Sequence, residues 1–202
     1  MYLPDHEIVA EITEGRLGID GWDPSLVQPA SIDLRLGNRF LALVNDNAPL
    51  DPAQESGPWT RHELEPGQHI TLFPGAFLLA HTWERIRMPA HLLGRLEGKS
   101  SLGRLGIRVH STAGFVDPGF VGRITLEIST DVLRDVVLYP GMRIGQLSLA
   151  RLSSPARVPY GSPSLGSHYQ DQDWPTPSRS WERFTAGLPE EEPQECPAWP
   201  PG

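Results

Sequence analysis

Apolar and polar positions change period along this chain. In DHEIVAEITEG, Ile8, Val9 and Ile12 recur at helical spacing, which predicts a short packing helix capped by Asp5 and ended by Gly15. Beyond it the runs become β-like: SIDLRLG, RFLALV, HITLF, AFLLAHT, RITLEIS, DVVLYP and MRIGQLSLARL, separated by Gly, Pro, Asn and Asp. Many short strands at this spacing predict an all-β-dominated sandwich or barrel. RITLEIST alternates: Ile124, Leu126 and Ile128 fall on one face, and Thr125, Glu127 and Ser129 on the other.

From about Ser153 the periodicity dissolves. The stretch YGSPSLGSHYQDQDWPTPSRSWERF mixes aromatic and polar residues without a regular period, and reads either as a surface loop or as a flap that orders over a ligand. The ending GLPEEEPQECPAWPPG is acidic and proline-rich, so residues 186–202 are expected to be disordered. The 202 residues suffice for one well-buried domain, placed at 1–185 with 153–185 as its C-terminal segment, and no internal repeat interrupts it.

Composition narrows the classes of partner. A net charge of −8 argues against a nucleic-acid backbone, which needs clustered Lys and Arg, so any anionic ligand must be held by a few local cations. The single cysteine, Cys196, can form neither an intramolecular disulfide nor a cysteine-ligated zinc site, and a reducing cytoplasm is the expected compartment. No apolar run approaches the roughly 20 residues of a membrane span, and MYLPDHEIVAE does not read as a signal peptide; the expectation is a soluble, unexported protein.

Two carboxylates stand out. On the polar face of its strand Glu127 is either a surface carboxylate or, if that face lines a cleft, a general base. Asp117, in GFVDPGF, is either a turn residue or part of a site where Gly114, Gly119 and Gly122 bring backbone close to a flat ligand. Upstream, EGKSSLGRLG gathers Lys99, Ser100, Ser101 and Arg104 in a segment that either suits a phosphate or is an ordinary solvated helix. GRLEGKS is not a P-loop, having three residues between its glycines where four are needed. No His-x-Glu with Pro-Cys-x-x-Cys builds a zinc deaminase, no Gly-x-Ser-x-Gly builds a serine hydrolase, and the seven histidines are scattered.

Together, GKSSLGRLGIRVHSTAGFVDPGFVGRITLEIS and PGMRIGQL resemble the dCTP deaminase family of the dUTPase-like superfamily, and RLGID, VQPASIDLRLGNRF and PYGSPSLGSHYQDQDWPTPSRS extend the likeness over roughly residues 1–184. The resemblance implies a distorted β-barrel or jelly roll with a few short helices. It also implies a homotrimer with sites between subunits, dCTP and dUTP as ligands with dTTP a potential inhibitor, Mg²⁺ held by the triphosphate rather than directly by protein, and no zinc. It places the general base at Glu127, with Ser100 and Arg104 positioning water, base and phosphate. The backbone at Ala113 would meet the pyrimidine. Lys99, Ser100, Ser101, Leu102, Gly103 and Arg104 would grip phosphates, and Asp117 the sugar. Thr125, Leu126 and Glu127 would line the base pocket, while Gln146, Tyr160, His168 and Gln172 hold the triphosphate and close the site.

Position 168 departs from the family, whose members generally carry Lys there; a histidine is mostly neutral at pH 7, which implies triphosphate binding that tightens on protonation. Gly114 and Phe115 resemble the members that also cleave the triphosphate, where deaminase-only members tend to read His-Arg. The implied activity is therefore deamination of dCTP followed by hydrolysis of bound dUTP to dUMP and pyrophosphate, with Asp117 assisting the second water. Deamination alone is the alternative; a simple dUTPase, which generally lacks an acid at the position of Glu127, or a non-catalytic binding protein fits less well.

Overall fold

The helical stripe forms as its spacing predicts: α1 spans Asp5–Thr13 in a computed structural model that describes residues 1–185. The tail expected to be disordered, 186–202, lies outside the described residues. Pro4 rather than Asp5 is the N-cap, and the Asp5 carboxylate instead accepts the neighbouring His6 N–H at 2.8 Å. Ile8 is fully buried, and so is Glu11 one turn on. That carboxylate is tolerable in the interior because Arg16 Nε donates to it at 2.8 Å and Arg151 Nη2 at 3.0 Å, with His91 Nε2 at 3.0 Å.

The strands follow as β1 Gly18–Asp20, β2 Val27–Gln28, β3 Ser31–Arg35, β4 Arg39–Leu43, β5 Trp59–Glu63, β6 Ile70–Leu72, β7 Phe77–Arg87, β8 Leu92–Gly98, β9 Ile107–Arg108, β10 Phe115–Val116, β11 Val121–Thr130, β12 Val136–Leu138 and β13 Arg143–Arg151, with a one-turn helix, α2 Ser100–Gly103, after β8. One antiparallel sheet runs β5-β4-β7-β11-β9, with β1 also on β7; the second runs β10-β8-β13-β3-β2, and β12 pairs β6. Ile32, Leu34, Leu96, Leu147 and Leu149 of the second sheet pack with Phe40, Leu78, Ala80, Leu126 and Ile128 of the first in a single core. The all-β expectation holds, but the sheets stay separate and do not close into a barrel. LLGRLEG, part of which looked like a defective P-loop, is strand β8, and the polar WTRHE forms β5. Among the described residues no helix is long and apolar enough to cross a membrane.

The alternation in β11 is realised in full: Ile124, Leu126 and Ile128 are buried while Thr125, Glu127 and Ser129 are half-buried on the opposite face. Pairing with β7 sets Glu127 opposite Leu79 and Ser129 opposite Phe77, and the register shifts between Arg123 and Thr125. At that bulge the Ile124 N–H donates to Thr82 Oγ1 at 3.0 Å, so the unpaired backbone group is satisfied.

His81, beside this bulge, is 2% exposed; its Nδ1 lies 2.8 Å from Thr82 O and its buried Nε2 has no partner among the described residues. Burial pushes its pKa from the ordinary 6.5 down to about 4. The unfolded chain therefore binds the extra proton between those two values. The stability due to the neutral ring is complete above pH 6.5 and is lost as pH falls toward 4. Between pH 7.5 and 4.5 this site is expected to remove about 2–3 kcal/mol from the urea-unfolding free energy. His81→Gln should lose correspondingly less over that interval, and identical pH profiles for the two proteins would contradict the assignment.

Candidate active site

The polar face of β11 opens onto a cleft of about 570 Å³ rather than onto bulk water. Thr125 and Glu127 line its floor, and Leu43, Trp59, Phe77 and Leu79 of β4, β5 and β7 form an apolar wall. Ala113, Phe115 and Asp117 stand on one rim, and the loop residues Leu50 to Ser56 on another. Glu127 thus lines a cleft and is half-buried there. Its Oε2 accepts the Ser111 N–H at 2.7 Å, and its own N–H donates to Val109 O at 3.0 Å. A carboxylate aimed through one oxygen leaves the other to accept a proton from water, which is the geometry of a general base.

Asp117 sits in a turn and also on the lining of the cleft. Its carbonyl accepts the Phe120 N–H at 3.0 Å across Pro118-Gly119, and its carboxylate lines the cleft with no hydrogen bond among the described residues. Gly119 has φ +91°, and a Cβ there would stand 2.6 Å from Pro159 Cβ. Only glycine brings this turn against the C-terminal segment. Gly114 also permits a close approach: a Cβ would meet Leu96 O at 2.8 Å, and Phe115 beyond it is 65% exposed at the rim.

The segment 153–185 runs as a strap along the cleft, contributing Tyr160, Tyr169, Gln172, Thr176, Ser178 and Ser180 to its lining. Its backbone joins β11: Asp171 N–H donates to Val121 O at 2.7 Å, and Arg123 N–H to Gln172 O at 2.9 Å. Arginines hold it from below. Arg85 pairs Asp171 at 2.7 Å, Arg123 and Arg39 pair Asp173 at 2.8 and 2.6 Å, and Trp174 lies against Arg39 and Arg61 at 5.0 and 5.4 Å. Arg123 above all, then Arg39, holds the Asp173 carboxyl below the usual carboxylate range. Tyr160 Oη accepts the Tyr169 N–H at 3.0 Å, and burial raises the pKa of this phenol.

The remaining anticipated site residues lie off this cleft. Lys99 precedes α2 with its ammonium on Asp33; Ser100, Ser101, Gly103 and Arg104 are exposed, and Leu102 packs against the core. Arg104 has no side-chain hydrogen bond or ion pair among the described residues. Gln146, on β13, donates to Gly98 O at 3.2 Å and accepts Ser31 Oγ–H at 3.1 Å. The Leu126 side chain is fully buried in the core, so only its backbone faces the site strand's neighbours. His168 sets Nδ1 2.9 Å from Glu182 Oε2, so a protonated ring meets that carboxylate first. Among the described residues the cleft thus carries three carboxylates, Asp51, Asp117 and Glu127, and no Lys or Arg, while Lys99 and Arg104 sit elsewhere.

Sequence reasoning missed the wall and the rim loop. Alternation through AFLLAHT would have put Phe77 and Leu79 on one face, but both faces of that strand are largely buried and the polar half of the signal is absent. The loop from Leu50 to Ser56 has no periodic signal at all.

The comparisons with known proteins agree in direction. A family model described as dCTP deaminase-like matches residues 2–152. A protein of Mycolicibacterium vanbaalenii named dCTP deaminase, dUMP-forming, is 55% identical over 186 residues, covering 91% of this chain and 98% of its own. One of the same name from Acidothermus cellulolyticus is 54% identical, covering 91% and 97%. Among solved structures, a 2'-deoxycytidine 5'-triphosphate deaminase from Agrobacterium tumefaciens superposes with a TM-score of 0.59 at 28% identity; the match covers 75% of this chain and 48% of that one, about half its length.

If the arginine ladder is what holds the strap, Asp173→Asn should speed amide hydrogen exchange over residues 169–176 about 5-fold, the worth of roughly 1 kcal/mol for a good surface pair. Mass-spectrometric exchange checks this; unchanged protection there would remove Asp173 as the latch.

Proposed function

Because the chain belongs to the dCTP deaminase-like family, we propose that it converts dCTP to dUMP by two hydrolyses in one site. The observation that carries this reading is Glu127, held by the Ser111 N–H on the floor of a cleft that Asp117 shares. Glu127 takes a proton from water as the oxygen adds to cytosine C4, then passes protons to the amino group, which leaves as ammonia while the C4 carbonyl forms. Work of this kind contributes about 10²–10⁴-fold. A second water then attacks the α-phosphate with assistance from Asp117, which has no hydrogen bond tying it elsewhere, and pyrophosphate departs from dUMP. Gly114 and Phe115 beside Asp117 support the two-step version. Holding dUTP between the steps keeps it from polymerases, which misincorporate it; the reading places the enzyme in the cytoplasm.

The charge on the cleft decides how the triphosphate is met. Three carboxylates with no cationic side chain among the described lining residues repel a polyanion, which fits a nucleotide that arrives with Mg²⁺. It also fits a cation and hydroxyl donors supplied by a second copy: Arg104, Ser100 and Ser101 of one chain complete the cleft of another in a homotrimer, with Ala113, Thr125 and Glu127 around the base and Gln146, Tyr160, His168 and Gln172 toward the phosphates.

Product analysis with dCTP and Mg²⁺ is expected to give ammonia, pyrophosphate and dUMP in equal amounts; ammonia with free dUTP and no pyrophosphate would reduce the activity to deamination. Glu127→Gln should lower uracil formation by about 10²-fold or more and still bind nucleotide. A shared site makes a further prediction. Glu127→Gln and Arg104→Ala chains, each nearly inactive, should regain about a quarter of the wild-type rate when co-refolded, since random assembly rebuilds one intact combination in four. No recovery in verified mixed oligomers would contradict sites built between copies.

A further inference from the structure

Asp33 lies on β3 with 1% of its surface exposed, and a carboxylate at that depth is costly unless cations meet it. Two do: Lys99 Nζ donates to Oδ1 at 2.5 Å, and Arg143 Nη1 to Oδ2 at 3.1 Å. Lys99 is the N-cap of α2 and Arg143 opens β13, so one carboxylate ties three elements together. The same register sets Gln146 opposite Asp33, and the Gln146 amide donates to Gly98 O, the residue before Lys99, at 3.2 Å. Ser100, Ser101 and Arg104 follow at once. Asp33 itself does not line the cleft.

We propose that Asp33 is a positioning residue for the triphosphate half of the site: it draws the Lys99 ammonium inward, sets the start of α2, and so leaves Ser100, Ser101 and Arg104, rather than Lys99, to meet the anion. The inference rests on the function proposed above and differs from the family resemblance, which gives Lys99 to the phosphates. It also has a definite sign. Long-range Coulomb forces alone would make loss of a negative charge near an anion site strengthen binding. Positioning predicts weaker binding.

The test uses the full chain as wild type, Asp33→Asn, Lys99→Met and the double variant, with dCTP kinetics and, separately, binding of inorganic tripolyphosphate by calorimetry. Asp33→Asn is expected to raise the dCTP KM and the tripolyphosphate Kd about ten-fold, with kcat within about three-fold. Lys99→Met should do the same, and the double variant no worse than either, because both changes break one coupled unit. Equal or tighter tripolyphosphate binding in folded Asp33→Asn overturns the proposal, as does a further ten-fold loss on adding Lys99→Met, which would mean that Lys99 touches phosphate. If Asp33→Asn alone does not fold, the double variant, which removes opposite charges together, carries the test, and wild-type affinity in it overturns the proposal. A wild type that binds tripolyphosphate but leaves dCTP unchanged would sink the proposed function while the binding arm still judged Asp33.

Discussion

A slip of one residue between β11 and β7 would turn Leu126 into the cleft and Glu127 into the core. The cost is large and one-sided. Leu126 and Ile128 are fully buried and Ile124 nearly so, each contributing about 1.5–3 kcal/mol by burial, and an unpaired buried carboxylate would cost several kcal/mol more. Glu127 is therefore aimed by the core residues on either side of it. The Ser111 N–H finishes the alignment, and the bulge after Arg123, stitched by Thr82 Oγ1, fixes where the count restarts. A reactive group on a strand paired in this way is held more narrowly than one on a loop.

The acids of this protein sort by whether a cation answers them. Glu11, Asp33 and Glu84 are all but fully buried, and each has at least one Lys or Arg within hydrogen-bond distance. Those pairs join distant segments and belong to the architecture. Asp117 and Glu127 are less buried and have no cationic partner among the described residues; a charge left unanswered at the edge of a low-dielectric wall is available for chemistry. Lys99 and Arg104 sit on and beside α2, away from the cleft that Asp117 and Glu127 line.

Much of the fold was legible because β11 and β13 have one face in the core and one less buried, and period-two alternation survives in their sequences. It failed where both faces are covered. Ser31 to Leu34 are all buried, so SIDLRLG announces a strand yet hides that Asp33 is an interior charge. Its partners lie 66 and 110 residues away, beyond any local pattern. β5 was missed for the opposite reason, since an edge strand as polar as WTRHE carries no apolar alternation. Of the residues that strand alternation, turn chemistry and the family resemblance put forward, Glu127, Asp117, Thr125, Ala113, Tyr160 and Gln172 line the cleft. Those signals could not show that Lys99 to Arg104 lies elsewhere, because placement between two chain segments is set by sheet topology, and that is absent from a linear pattern.

The strap explains itself by the same comparison of magnitudes. Ordering backbone costs about 1–2 kcal/mol per residue, and exposed ion pairs return roughly 0–1 kcal/mol each. Asp171 and Asp173 with their arginines, one short parallel bridge and the Trp174 contacts therefore leave the closed strap only shallowly favoured. Tyr160, Gln172 and Thr176 belong to the strap and to the cleft lining at once, so a ligand touching them stabilises the closed form by its differential affinity for it. The register of the cleft-floor strand is thus enforced by the core, whereas the strap, whose own sequence carries no period, is held only by these few contacts.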